Sequence, residues 1–398
     1  SPYWLIQEGE KGMYKTNRKE IVGLPNTPPP IVLKLYLLIE GKNIEVQKPL
    51  KYRKNDPVKG EVTTTFQVLP SATANLNTPV QLFGTGQTKK VMVQVKNLGK
   101  SFKGKLSLKS PESWVIEPSH QEVMIDGKGI EKEFIFNVTA PKSEEVVQLR
   151  PELTNDEEKI QSAIQEISYD HIPQQYMVQP SSTRAVALNL KTGVERVAYI
   201  NGAGDNVAES IEAVGVIVEK FDSEDITLEK LNSFDAVILG IRAFNVHESL
   251  SYKKNVLWKY AHQGGNLLIQ YNTSRGLKTR SITPYSIELS RDRITDENSK
   301  VKMLDSKHPL LNYPNKISLE DFEGWVQERG LYFPKQWDKN FSPLFEMSDP
   351  GEQPKRGALL VANYGEGKLV YTGLSFFRQL PAGVPGAYRL FFNLIANK

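Results

Sequence analysis

The pattern of apolar residues changes near residue 185, and this change constrains the fold more than any other feature of the chain. Before it, apolar residues fall in short, β-branched, often alternating runs, which is the pattern of half-buried strands. After it, short and fully apolar runs alternate with helical segments, which is the pattern of a parallel sheet covered on both faces. One fold class cannot satisfy both patterns. The 398 residues, at about 100–200 per domain, predict two to three domains.

The first part reads as β throughout. Ile31 to Ile39 is β-branched and aromatic, stops at Glu40-Gly41-Lys42-Asn43 and resumes at Ile44-Glu45-Val46, which predicts a hairpin. Asn55-Asp56-Pro57-Val58-Lys59-Gly60 is a break, so a boundary is placed near Glu61. A second β unit follows, with Val91 to Lys96, Gly104 to Leu108, Gln121 to Ile125 and Glu133 to Thr139 as its strands. Such spacing predicts an immunoglobulin-like β-sandwich over residues 62–184, and residues 1–61 are expected to form a further, possibly incomplete sandwich.

From Glu195 the strands are Val197 to Ile200, Phe234 to Gly240 and Asn266 to Tyr271. Helices are predicted from Val207 to Val214, from Ser251 to His262 before Gly264-Gly265, and from Val384 to Ala396. Ala358 to Ala362 and Lys368 to Thr372 flank a hairpin turn at Tyr364-Gly365-Glu366-Gly367. Residues 185–398 are therefore expected to be a flavodoxin-like α/β domain with a parallel sheet.

Composition narrows the chemistry. There is no cysteine, so disulfides, thiolate metal sites and a cysteine nucleophile are excluded. A net charge of +4 is too small at this length to argue for a nucleic-acid partner. No apolar run reaches the roughly 18–20 residues of a membrane helix. Ser1 to Ile6 lacks the pattern of a signal peptide and opens in strand-like sequence, so the chain reads as a piece of something longer or a processed product.

In an open α/β sheet, ligands bind beyond the carboxyl ends of the strands. The first such end, Asn201-Gly202-Ala203-Gly204-Asp205, either cradles a phosphate or is a tight turn with Asp205 capping the next helix. The second presents Arg242 and Asn245, suited to an anion or sugar contact or to a structural ion pair. The third presents Gln270 and Asn272, able to hydrogen-bond a polar ligand. A nucleophile elbow would need Cys or Ser there, and the chain has Gln270 and Tyr271.

Other candidates come from two polar blocks and one strand end. Arg291 and Arg293 surround Asp292 as a ligand clamp or a self-paired network. Glu320-Asp321-Phe322-Glu323-Gly324-Trp325 sets carboxylates beside an indole, as sugar sites do, with Glu323 and Trp325 as binders. Alternatively Trp325, Leu331 and Phe333 are core. Arg378 follows the strand end Thr372-Gly373-Leu374-Ser375 and can enter the same cleft. The five histidines show no metal-ligand spacing; His308 near Asp305 is the closest. No catalytic residue, metal or cofactor is expected.

Three resemblances bear on this. The order of strands around Trp114-Val115-Ile116-Glu117-Pro118 resembles bacterial sandwich modules attached to carbohydrate-active enzymes. "FDAVILGIRAFN", "GGNLLIQYNTS" and "YGEGKLVYTGLSFF" resemble the class I glutamine-amidotransferase-like superfamily near its ThuA-like branch. Tyr271 and Phe376 stand where that superfamily has its nucleophile and histidine, so its chemistry does not carry over. Over nearly the whole chain, "GAGDNVAESI", "LSRDRIT", "DFEGWVQERGLYFP" and "GLSFFRQLPAGVPGAYRLF" resemble the C-terminal region of large LmbE-like (PIG-L family) deacetylases of Bacteroidetes-type bacteria. That resemblance implies a zinc-dependent de-N-acetylase domain elsewhere in the parent protein. The His-Pro-Asp-Asp signature of that domain is missing, since His308-Pro309 continues as Leu310-Leu311.

The function expected is thus a non-catalytic accessory region that binds carbohydrate or positions it for a deacetylase domain. The alternatives are a ThuA-like sugar hydrolase using Asp321 and Glu323, and a structural spacer or dimerisation module. Oligomeric state is left open. A periplasmic or cell-surface location is expected by analogy with carbohydrate-active enzymes.

Overall fold

A computed structural model describes residues 2–7, 9–10 and 12–396. The protein is mostly β, with 43% strand against 14% helix in several sheets, as a multidomain β-rich protein should be. Its contacts define two compact units. The first is Ser1–Pro79, Thr88–Ala140 and Val147–Arg184; the second is Val80–Gln87, Pro141–Val146 and Ala185–Lys398.

In the first unit, Ala72–Asn75, Thr88–Asn97, Glu131–Thr139 and Val115–Glu117 make one antiparallel sheet in that order. Gln121–Asp126, Ser101–Lys109 and Glu145–Thr154 are successive neighbours in another. Alternation sets the core here: Val91, Val93 and Val95 are buried, while Met92 between them is exposed. The described residues of 1–61 form two-stranded ribbons and not the expected sandwich: among them Val32–Ile39 pairs with Lys42–Pro49, and Lys51–Asp56 with Gly60–Thr65. The hairpin turn is at Glu40-Gly41, both at positive φ. Leu33, Tyr36, Leu38 and Ile39 stay exposed on this ribbon, because two strands alone have no second layer to bury them against.

The second unit is built on a seven-stranded sheet. Its order is Ile217–Phe221, Arg196–Ile200, Ala236–Leu239, Asn266–Gln270, Gly367–Thr372, Leu359–Tyr364 and Ser342–Pro343. The first five are parallel and the last two antiparallel. Ala236 and Ile238 face one apolar cluster, Val237 and Leu239 the other, so every residue of that strand is buried. The helix Pro385–Ile395 packs in the first cluster and Leu250–His262 in the second. Pro385 starts the last helix one residue later than predicted, since proline is preorganised for the first helical position. The first helix is shorter than predicted, ending at Glu212. The chain runs from Arg196–Ile200 to Ile217–Phe221 on one side, then crosses to Ala236–Leu239 on the other. The strand order therefore reverses between Arg196–Ile200 and Ala236–Leu239, the place where open parallel sheets form a crevice.

Lys368 gives the second unit a pH signature. Its Nζ donates to Ala396 O at 3.0 Å, and burial pushes the ammonium down to about 8 from 10.5. The folded state therefore releases this proton before the unfolded state does. Unfolding free energy should rise with pH from about 8 towards 10.5, by up to about 1.4 kcal/mol per pH unit. Below pH 8 the penalty for the buried charge is present in full. Tyr260, pushed up to about 12 by burial, acts oppositely above pH 10, where the unfolded tyrosine ionises first. Urea titrations at pH 7.5 and 9.5 should show a gain of about 1–3 kcal/mol in the native chain. The gain should be absent in Lys368→Met.

Candidate functional site

The site assembles beyond the carboxyl ends of the three central parallel strands. At the first end, Gly202 lies against the second. A Cβ on Gly202 would sit 2.1 Å from Ile241 O and 2.7 Å from Gly240 C. Ala203 N donates to Ile241 O at 2.8 Å. Asp205 accepts from Tyr199 Oη at 2.6 Å, from Val207 N at 3.0 Å and from Ile241 N at 3.2 Å. The glycine turn is thus the tight-turn alternative: its carboxylate ties two strand ends together and holds the start of the next helix.

Arg242 follows directly, exposed and at φ 56°, in the left-handed region. Its N–H donates to Tyr271 O at 2.8 Å. Its guanidinium makes no hydrogen bond or ion pair with the described residues. Gln327 (φ 66°) and Tyr332 (φ 53°) are also left-handed. A non-glycine residue there carries a cost that surrounding structure must hold in place, and such residues gather at functional sites.

These segments meet at an aromatic cluster. Tyr271 stacks almost parallel on Tyr332, with centroids 5.9 Å apart and 7° between planes, and packs on Phe377 at 5.3 Å. Arg378 lies over the Phe377 ring at 4.9 Å. Its Nε donates to Glu328 at 2.7 Å and its Nη1 to Gln327. Burial pushes the Tyr271 hydroxyl up, while the charges of Arg242 and Arg378 oppose that rise. Both arginines therefore act on the same phenol.

Asn245, Gln270 and Asn272 form the layer underneath. Asn245 Nδ2 donates to Thr273 O and Arg275 O, and its Oδ1 accepts from Thr273 N at 2.9 Å. Asn272 Oδ1 accepts from Phe244 N, and its Nδ2 donates to Gln270 O, both at 3.0 Å. Gln270 Nε2 donates to Tyr199 Oη and Leu239 O, while its buried Oε1 has no partner among the described residues. All three are buried, so they position the strand-end loops and are corrected from ligand contacts to supports.

The remaining candidates lie elsewhere. Trp325 is 3% exposed and stacks on Phe322, and its indole donates to Asp321 O at 2.9 Å. It is core, with no free face for a sugar, as is Phe333. Glu323 is exposed and lines a cavity of about 340 Å³ with Asn298 and Arg329. Arg291 and Arg293 are exposed on the strand Ile287–Ile294. They form no ion pair with Asp292, because successive strand side chains point to opposite faces. Asp321 is buried and accepts from Arg389 Nε and Ser318 N, both at 2.7 Å, so its carboxylate is held in an ion pair and a helix cap. It and Arg389 line a second cavity of about 450 Å³, where Arg389 also meets Glu144 at 2.8 Å. His308 Nδ1 accepts from Leu310 N. Among the described residues, no group of three His, Asp or Glu is placed to hold a metal, and no helix is long and apolar enough to cross a membrane.

Arg242 follows the strand Ala236–Leu239, whereas Arg378 lies in the short helix Phe376–Gln379; the sequence reading did not name Tyr332, Phe377 and Glu328 as their companions. The available signal was the concentration of aromatics and acids from Phe322 to Phe333 together with Phe376-Phe377-Arg378.

The architecture is that of a β-rich, multidomain protein carrying a polar and aromatic surface at strand ends. No protein-family model matches the chain, and no curated protein does. Solved structures similar to it include a family 123 glycoside hydrolase from Clostridium perfringens, at 10% identity, TM-score 0.21, covering 52% of this chain and 39% of that one. Another is an exo-β-1,4-mannosidase from Opitutaceae bacterium strain TAV5, at 10% identity, TM-score 0.29, covering 50% and 36%. A third is a Salmonella alpha-2-macroglobulin mutant, at 14% identity, TM-score 0.20, covering 32% and 7%. The chain thus spans well under half the length of each of these three proteins.

Proposed function

We propose that this chain is a non-catalytic accessory region and that its second unit binds carbohydrate at the strand-end surface. The observation that carries the reading is that the half-buried rings of Tyr332 and Phe377 pack on the buried Tyr271, with Arg242 and Arg378 beside them. Sugar rings present C–H faces that pack on aromatic rings, and hydroxyls that take hydrogen bonds from guanidinium groups. Asp321, engaged by Arg389 and Ser318, speaks against the hydrolase alternative. In this reading residues 62–184 are an immunoglobulin-like module and the second unit a flavodoxin-like domain of amidotransferase-like descent. The parent protein is then an LmbE-like deacetylase at the periplasm or cell surface. The exposed ribbon Val32–Pro49 favours a spacer or docking role for the first unit beside this one.

The test is a thermal-shift and calorimetric screen of the chain against neutral, N-acetylated and acidic oligosaccharides, with and without Zn²⁺. Binding at 100-fold the Kd adds about 2.7 kcal/mol to stability. Tyr332→Ala should weaken any sugar bound by about tenfold, the loss of about 1.4 kcal/mol of ring contact, with little change in melting temperature. No shift with any sugar, or shifts that Tyr332→Ala leaves untouched, would sink the assignment.

A further inference from the structure

Resting on that reading, we infer that the strand-end surface selects an acidic sugar, with the Arg242 guanidinium clamping its carboxylate beside the aromatic cluster. Charge bookkeeping on the surface comes first. Arg378 is paired to Glu328 at 2.7 Å and held by Gln327, so it contributes shape and hydrogen bonding more than net charge. Asp205, on the neighbouring strand end, is engaged by three donors. Arg242 is exposed and makes no ion pair or side-chain hydrogen bond with the described residues. Arg242 is therefore an unpaired cation, among the described residues, at the rim of the aromatic cluster.

Backbone geometry shows that this cation is positioned. Arg242 sits in the left-handed region at φ 56°, where glycine or asparagine would be easier. Its amide is pinned to Tyr271 O at 2.8 Å, and the next turn is pinned through Asn245 N to Arg242 O at 2.8 Å. The side chain thus leaves a fixed backbone within electrostatic reach of the Tyr271 phenol. A planar guanidinium fork matches a planar carboxylate through two parallel N–H···O bonds. A sugar that carries such a carboxylate is a uronic acid. The pyranose ring of the same residue would lie against Tyr332 and Phe377.

The test titrates the full chain with digalacturonate and with neutral galactobiose by calorimetry. The acidic sugar should bind at least tenfold tighter in about 20 mM salt, and the advantage should shrink in about 300 mM salt as the charge is screened. Arg242→Asn keeps a residue that tolerates the left-handed region. It should bring the two affinities within about twofold, by weakening digalacturonate far more than galactobiose. Tyr332→Ala should weaken both sugars alike. Equal affinity of the native chain for the two sugars would overturn the acidic selection and leave carbohydrate binding standing. A preference that survives Arg242→Asn would overturn the role of Arg242. Failure of both sugars to bind would overturn this inference together with the reading it rests on.

Discussion

Gly202→Ala should destabilise the second unit by about 3 kcal/mol or more and remove ligand binding at Arg242. The added methyl would stand 2.1 Å from Ile241 O, 2.7 Å from Gly240 C and 2.9 Å from Gly240 O. All three are backbone atoms at the end of a buried strand, so no side-chain rotation relieves the clash. Relief requires the two strand ends to part, which breaks Ala203 N to Ile241 O at 2.8 Å and Ile241 N to Asp205 Oδ2 at 3.2 Å. Ile241 precedes Arg242, so the same movement displaces the guanidinium. Gly204 is the control. It has φ +99° but open space around its Cβ position, so Gly204→Ala should cost only about 1–2 kcal/mol of backbone strain. Urea midpoints for both variants, with sugar titration, separate the two effects. A Gly202→Ala chain as stable as the native one would mean that the strand ends do not touch.

Arg329→Met should cost about 3–5 kcal/mol. Arg329 is 5% exposed and lies 5.6 Å from the ring centroids of both Phe322 and Trp325. Its Nε and Nη2 donate to Ser299 O at 3.2 and 3.0 Å, and its Nη1 donates to Phe322 O. Its own backbone bonds to Ile294 O and accepts from Ser375 N, both at 3.0 Å. Burial pushes its guanidinium down to about 10, still charged at neutral pH. Methionine retains most of the aliphatic volume and strands the two carbonyls without donors. Each buried acceptor left so costs about 1–3 kcal/mol. Denaturation followed by tryptophan fluorescence reads the loss at the neighbouring Trp325. A loss under about 1 kcal/mol would show Arg329 to be a lining residue of the adjacent cavity, free to serve a ligand there.

The two positions differ in how far sequence could reveal them. Gly202 sits in a glycine-rich strand end visible in the sequence, yet its reason is the approach of a strand 38 positions on, between Gly202 and Gly240. Arg329 carries no signal, because an arginine in a charged stretch looks solvated until the fold closes over it. Trp325 shows the same limit in reverse: a tryptophan among acids fits a sugar platform by composition, and tertiary packing turns it inward onto Phe322. The hairpin at Glu40-Gly41 was legible because a two-residue turn depends on local conformation alone. Whether that ribbon gained a covering sheet was not legible.

What the sequence determined by itself is therefore local. It placed the change from β to α/β pattern, three of the parallel strands between 196 and 270 (though not Ile217–Phe221), the hairpin before Thr372 and Arg242 just beyond a strand end. Each follows from periodicity or turn chemistry within about ten residues. Only the tertiary structure decided that Tyr271, Tyr332 and Phe377 meet, that Arg378 is neutralised by Glu328 while Arg242 is not, and that Asn245, Gln270 and Asn272 are supports. Such pairings join residues dozens of positions apart. Their energies depend on distance and burial, which a linear order of residues does not specify.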